Sequence, residues 1–415
     1  MKADALVRPI LLTGGRVLAT GAKSPELLDI EIGIDGRIGR IGPALLVEDP
    51  HQEIELGGKL VVAGLIDMHQ HLDKSRTRRL VQNSTGDVAG ALAGYQAFAA
   101  TVTKEGILSR ATRTLEACLA RGTVAIRSHT NIDPDTQTRG VEAMIELRER
   151  YRKRMTLQIV AHVTSGATRM RDAARKWLLA AIDMGADVLG GVPFISDDPI
   201  AFLDMMFDLA GKSGLPLDLH IDEHLDSDKL LFDPLVERTE ALGMQNRVVA
   251  SHSSALSALG LTTAGRIMER LARAGIAVVT LPAANLFLQG RGAAALPPRG
   301  VTRVPDLLAA GVRVAAGSDN IQDPFVPTGS GDMLEIARWT LLSAHLGLTD
   351  LARAYELVSS SPAAIMGLGK DWGIHKGARA DLLITDCEDQ EDLVASGSLN
   401  RAVMVGGQLL SGRLQ

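Results

Sequence analysis

His69 and His71 stand two residues apart, close behind the apolar run Leu60-Val61-Val62-Ala63. That run reads as a buried strand, and strand alternation puts both imidazoles on one face, about 7 Å apart along the chain. Two neutral imidazoles can bind one divalent cation, but they supply only half of a tetrahedral set. Alone, a His-x-His pair is weak evidence, because chance produces it often. Its weight depends on what the rest of the chain brings to the same place.

Eight apolar runs alternate with helical patterns through the middle of the chain: 60–68, 123–129, 155–162, 187–192, 216–221, 247–251, 276–281 and 312–316. Residues 107–120 typify the helices between them, with Leu108, Ala111, Leu115, Cys118 and Leu119 on one face. The alternation predicts an α/β fold, a (β/α)8 TIM barrel over residues 59–375, with its site at the C-terminal strand ends. At those ends stand His69, His71, His129, His162 with Thr164, His220 with Glu223, His252 and Asp319. These include most of the chain's ten histidines. A single rim histidine is more often a structural hydrogen-bond partner than a ligand, but a whole layer of them is not explained that way.

The two ends have another texture. Asp35-Gly36 is a strong hairpin signal, Gly14-Gly15 reads as a turn, and residues 380–385, 401–405 and 408–410 read as strands, the last two joined at Gly406-Gly407. Residues 1–58 and 376–415 are therefore expected to form one small β-sandwich domain, with the barrel inserted between them.

Bulk properties exclude several functions. The 415-residue chain is 46% hydrophobic with a net charge of −5, so it lacks the basic footprint of a nucleic-acid binder. Cys118 and Cys387 are the only cysteines, far apart, which argues against a disulfide framework or a cysteine zinc site. No apolar run has transmembrane length and no signal-peptide pattern opens the chain, so a cytoplasmic protein without membrane contact is expected. No G-x-G-x-x-G or P-loop indicates a nucleotide. Arg76, Arg78 and Arg79 read as a solvated face before they read as an anion site. Residues 332–344 read as a helix packed on the barrel. The expected partner is a small molecule, with homo-oligomerisation left open.

His69, His71, His220 and Asp319 make an N3O set that suits zinc or ferrous iron and is poor for calcium or magnesium. Such a metal lowers the pKa of bound water from 15.7 towards ~7. His252 stands where it can orient the resulting hydroxide, and Glu223 where it can carry a proton to a substrate nitrogen. Taken singly, Glu223 beside Asp222 and Asp226 would be a solvated loop carboxylate.

These residues carry a family resemblance. Gly64-Leu65-Ile66-Asp67-Met68-His69-Gln70-His71, Gly317-Ser318-Asp319 and the flanking β segments resemble the amidohydrolase superfamily. The match tightens to its cytosine-deaminase-like branch at His69-Gln70-His71-Leu72-Asp73-Lys74, His220-Ile221-Asp222-Glu223, Ser251-His252-Ser253-Ser254 and 285–291. Residues 317–325 and 327–333 are especially similar to triazine-ring members of that branch. The resemblance implies one divalent metal, zinc or iron(II), held by His69, His71, His220 and Asp319. It implies Glu223 as proton shuttle, His252 and Asp319 as activators of water, and attack of hydroxide on a ring amidine carbon with loss of ammonia or an amine. It points to His162, Thr164, Gln289, Asn320 and Phe325 as substrate-binding residues, and Lys74 is expected to pair with Asp73.

Two residues depart from cytosine deaminases. Thr164 stands where they carry a glutamine, and one hydroxyl cannot reproduce a bidentate carboxamide contact. Asn320 replaces the aspartate after the metal ligand. A related amino- or alkylamino-substituted heterocycle is therefore expected in place of cytosine. Hydrolysis of a cyclic amide or N-acyl bond is the alternative, and a catalytically silent homologue is a third reading, weakened by the presence of all four ligands.

Overall fold

The computed structural model describes residues 8–295 and 297–414. Eight parallel strands follow one another round a barrel: Leu65–Gln70, Thr123–Ile132, Thr156–Val163, Val188–Gly191, Leu217–Ile221, Val248–His252, Ala277–Thr280 and Val314–Ala316. All eight apolar runs seen in the sequence contribute to it. Every residue of the second strand, Thr123–Ile132, is buried. Helices cover the outside and interior side chains fill the middle, so the strands are buried on both faces, and the second buries Arg127, Ser128, His129, Thr130 and Asn131 among its apolar residues.

The barrel closes where its eighth strand meets its first. Gln70 and Asp319 form a parallel bridge. Asp319 donates its N–H to the His69 carbonyl, and His71 donates to the Asp319 carbonyl, each at 2.8 Å. A Cβ on Gly317 would lie 2.8 Å from the His69 carbonyl oxygen, so glycine is what lets the two segments approach. Asp67 completes the seam. It accepts from the Ser318 hydroxyl at 2.5 Å, the Ser318 N–H at 3.0 Å and the Gln70 amide at 2.7 Å. The two histidine-and-aspartate motifs, distant in sequence, are thus stapled together through Asp67 and Ser318.

The outer helices show ordinary start and stop chemistry. Pro199–Ser213 is capped by the Asp198 side chain on Ala201 N, has Pro199 at its first position, and ends at Gly214 with φ of 75°. Leu261–Arg273 buries Ala264, Ile267, Met268 and Leu271, the three-and-four spacing of a helix face turned to the barrel. Met333–Ser343, capped by Asp332, is the helix expected there. Among the described residues no helix is long and apolar enough to cross a membrane.

Both ends of the chain enter a second eight-stranded sheet: Ile10–Val17, Glu26–Ile32, Ile38–Gly42, Gln52–Glu55, Leu60–Ala63, Leu382–Thr385, Arg401–Val405 and Gln408–Ser411. Its own core gathers Ile10, Leu12, Ile30, Val61, Leu382 and Met404. Two local expectations need correction. Gly14-Gly15 is no turn: both lie inside Ile10–Val17, where the register with Glu26–Ile32 slips between Leu12 and Gly15. Gly14 has φ of 63°, the left-handed residue a β-bulge needs. The strand therefore bends, pairing with Gln52–Glu55 along its first half and Leu60–Ala63 along its second. The run 60–68 is likewise two strands. Leu60–Ala63 pairs with Leu382–Thr385 in the terminal sheet, and the barrel strand begins at Leu65. On this basis we propose the two-part division with its first boundary moved from the expected 58/59 to Gly64, where the chain crosses between sheets: residues up to 63 with 376–415, and 64–375. Residues 1–7 lie outside the described residues.

Candidate active site

Strands end at the barrel rim, and strand ends place the polar side chains. His69 and His71 close the first strand, His220 sits near the end of the fifth, and Asp319 follows the eighth by the closing bridge. All four are buried. The Nε2 atoms of His69 and His71 are 3.4 Å apart, and those of His71 and His220 are 3.3 Å apart. Asp319 Oδ1 lies 3.3 Å from His71 Nε2 and 3.6 Å from His69 Nε2. Four ligands at 2.0–2.1 Å in tetrahedral geometry would stand about 3.3–3.4 Å from one another. The donor atoms converge at the spacing a bound metal requires.

The charges agree with that fit. Burial, and after it the neighbouring imidazoles, hold His69 and His220 well below the ordinary histidine pKa; for His71, Lys74 comes second after burial. Neutral imidazoles are the form that binds a metal. Burial pushes the Asp319 carboxyl up to about 8, with Lys74 pulling against it. A cation among these four groups would relieve that penalty.

Beside the cluster lies a small cavity lined by His71, Lys74, His162, Thr164, His220, Glu223, His252, Asp319, Asn320 and Phe325, among others. Glu223 is not a solvated loop carboxylate: it is 7% exposed. Burial, then the Asp319 charge, pushes it well above the ordinary carboxyl range, which favours its protonated form. His252 stands between the carboxylates, with Nδ1 3.7 Å from Glu223 Oε1 and Nε2 3.8 Å from Asp319 Oδ2. The Asn285 amide, 3.2 Å from His252 Nδ1, can only donate to it, which leaves Nε2 as the protonated nitrogen facing the cluster. Burial draws His252 down to about 3, so the ring is neutral. Asp222, His252, Ser253 and Asp319 all have positive φ, between 49° and 66°. Such conformations cost of order 1–3 kcal/mol each and gather where a fold holds its functional groups in place.

Of the residues expected to bind substrate, His162, Thr164, Asn320 and Phe325 line the cavity. Asn320 donates its amide to Asp323 at 2.6 Å, which fixes its orientation. Gln289 instead donates to the Glu223 carbonyl oxygen at 3.0 Å and supports the loop that carries Glu223. His129 packs flat against His69, ring centroids 3.6 Å apart. Arg78 and Arg79 are exposed, and Arg76 donates to Thr114.

Lys74 corrects its expectation. Asp73 turns away to accept from the Asn131 N–H at 2.9 Å. Among the described residues Lys74 makes no ion pair. It is 5% exposed, and its Nζ lies 4.2 Å from the Phe325 ring centroid, inside the cavity. Asn285 was also missed as a functional residue, although it sits in a motif that carried the resemblance; its place against His252 is set by the fold.

Comparison with known proteins identifies the family. The model of the amidohydrolase family matches residues 73–410. A pterin deaminase of Rhizobium rhizogenes is 30% identical over 394 residues, covering 94% of this chain and 90% of that protein. The crystal structure of 5-methylcytosine deaminase from Klebsiella pneumoniae, liganded with 5-fluorocytosine, superposes with a TM-score of 0.89 at 27% identity, covering 97% of both chains. That of N-isopropylammelide isopropylaminohydrolase from Burkholderia multivorans gives 0.83 at 30% identity, covering 98% of this chain and 99% of that one. With a family model matching most of its length and a relative 30% identical along nearly all of both chains, this chain belongs to the amidohydrolase family.

Proposed function

We propose that the protein is a metal-dependent aminohydrolase releasing ammonia or an amine from a nitrogen heterocycle at a ring amidine carbon. The observation that carries this is the convergence of His69, His71, His220 and Asp319 at metal-ligand spacing, beside a cavity that holds Glu223 and His252. Pterin, N-isopropylammelide and 5-methylcytosine, the rings named for its relatives, all carry an exocyclic amino or alkylamino group.

The four residues would hold one divalent ion, zinc or iron(II). When bound, that ion lowers the pKa of a coordinated water towards ~7 and so supplies a nucleophile near neutral pH. Glu223 accepts a proton from water and delivers it to the ring nitrogen next to the attacked carbon. His252 offers its Nε2–H towards Asp319 and orients the oxygen between them. Asn320, held by Asp323, presents its amide carbonyl to the ring. Lys74, with Phe325 beneath it, meets an oxo group or other acceptor on the substrate. Thr164 and Asn320, in place of a glutamine and an aspartate, favour a ring other than cytosine.

Ammonia and amine release from aminated pyrimidines, triazines, purines and pterins, with metal analysis of the same sample, tests the proposal. At least one ring is expected to react, with activity lost on chelation and restored by zinc or iron(II). Silence across the panel in metal-loaded protein would overturn the aminohydrolase reading.

A further inference from the structure

Deeper in the barrel than the rim histidines, a line of hydrogen bonds crosses the interior. The Gln158 amide donates to the Met366 carbonyl at 2.9 Å, and its oxygen accepts from Arg127 Nε and Nη2 at 3.1 and 2.9 Å. Arg127 Nη1 donates to Asp218 Oδ2 at 2.9 Å. The Ser251 hydroxyl donates to Asp218 Oδ1 at 2.7 Å, and Ser251 Oγ lies 3.0 Å from His69 Nδ1. Arg127, Asp218, Ser251 and His69 are all buried. The line joins five barrel strands.

Its proton count has one solution. The serine hydroxyl has a single hydrogen, spent on Asp218, whose other oxygen already accepts from Arg127. Toward His69 the serine can therefore only accept, so the Nδ1 it faces carries the proton and Nε2 is left with its lone pair. His71 Nδ1 and His220 Nδ1 have no hydrogen-bond partner among the described residues. Within the proposed ligand set, His69 alone has its outer ring nitrogen held by the protein.

We propose that Ser251 and Asp218 are positioning residues that fix His69 in its Nδ1–H tautomer and aim its Nε2 into the ligand cluster, with Arg127 and Gln158 anchoring the line. The proposal rests on the reading of His69 as a ligand. Outer hydrogen bonds of this kind set ring orientation and ligand basicity, and losing one typically costs 10–100-fold in metal affinity.

Zinc affinity of the full chain, measured by competition with a chromogenic chelator, tests it without reference to substrate. Ser251→Ala is expected to weaken zinc binding about 10–100-fold, and Ser251→Thr, which keeps the hydroxyl, to restore it to within about threefold. Nitrogen-15 histidine spectra of the metal-free wild type and Ser251→Thr are expected to show His69 protonated on Nδ1, and those of metal-free Ser251→Ala to lose that preference, a signature that mere packing would not set. Should Ser251→Ala fail to fold, Ser251→Cys keeps the volume with a weak acceptor and is expected to show the same loss. Unchanged zinc affinity in a folded variant, or a wild-type His69 without its Nδ1 proton, overturns the relay alone. A wild type that binds no zinc overturns the ligand set and the relay with it.

Discussion

At the scale of single residues, the proposed function divides the cavity into groups that hold the ion and groups that move protons. His69, His71, His220 and Asp319 point their donor atoms at one another. Glu223, raised by burial and by Asp319, is the group placed to exchange a proton. Glu223→Gln keeps the shape but removes that exchange, so kcat is expected to fall by about 10²–10⁴-fold with metal content unchanged. Near-normal turnover in metal-replete Glu223→Gln would sink the shuttle assignment. Lys74 is a second test at this scale. Its buried amine has no carboxylate within ion-pair distance among the described residues, so a ligand acceptor would complete its surroundings. Lys74→Met is expected to lower kcat/KM about 10–100-fold through loss of a charged hydrogen bond, with zinc affinity unaltered. Undiminished kcat/KM on every accepted ring would remove Lys74 from substrate binding.

At the scale of elements, the decisive feature is how the chain leaves one sheet and enters the next. Gly64 does this in one residue. Its N–H donates to the Asp381 carbonyl at 2.9 Å, and its carbonyl accepts from the Trp372 indole at 2.7 Å. A Cβ there would come within 2.4 Å of the Val124 side chain. Gly64→Ala is therefore expected to destabilise the fold by about 1–3 kcal/mol, the cost of overpacking a filled interior, as read from urea unfolding. An unchanged midpoint would show that Val124 yields freely. The same place shows what the sequence could convey. Leu60–Ala63 and the Leu65-Ile66 start of the barrel strand are apolar and buried alike, so hydropathy cannot see that one belongs to the terminal sheet. The barrel strands were legible because strands buried on both faces carry mostly apolar stretches, and the candidate ligands were singled out because strand ends are where such a fold exposes polar groups. Lys74 was misjudged because the ring beneath it, Phe325, comes from a remote loop. The serine relay to His69 escaped notice because Ser251 and Asp218 lie inside strands, where nothing local marks a polar side chain as paired.

At the scale of the molecule, packing six histidines into the barrel makes stability depend on pH and on the bound ion. Burial is the largest cause holding His69, His71, His129, His162, His220 and His252 below the ordinary histidine pKa. In the unfolded chain these rings take up protons as the pH drops through ~6.5, while the folded chain refuses them. Stability falls with pH wherever the unfolded state binds more protons. Buried carboxyls act in the opposite sense: burial raises Asp319 to about 8, Asp67 and Asp323 to about 6, and Glu223 well above its usual range. Their contribution is fully present at low pH and is lost as the pH rises through those values. Asp73, Asp222 and Asp381 are raised by burial as well, so the two sets oppose each other between about pH 6.5 and 5, and the clear pH dependence is expected in what the bound ion adds. A bound ion adds stability by mass action, but protons compete with it for the same nitrogens. The gap in Tm between zinc-loaded and chelator-stripped protein is therefore expected to be widest near pH 7.5 and to shrink steadily towards pH 5. Thermal unfolding of both forms across that range checks this. A gap that stays constant would mean the added ion does not sit on the buried histidines.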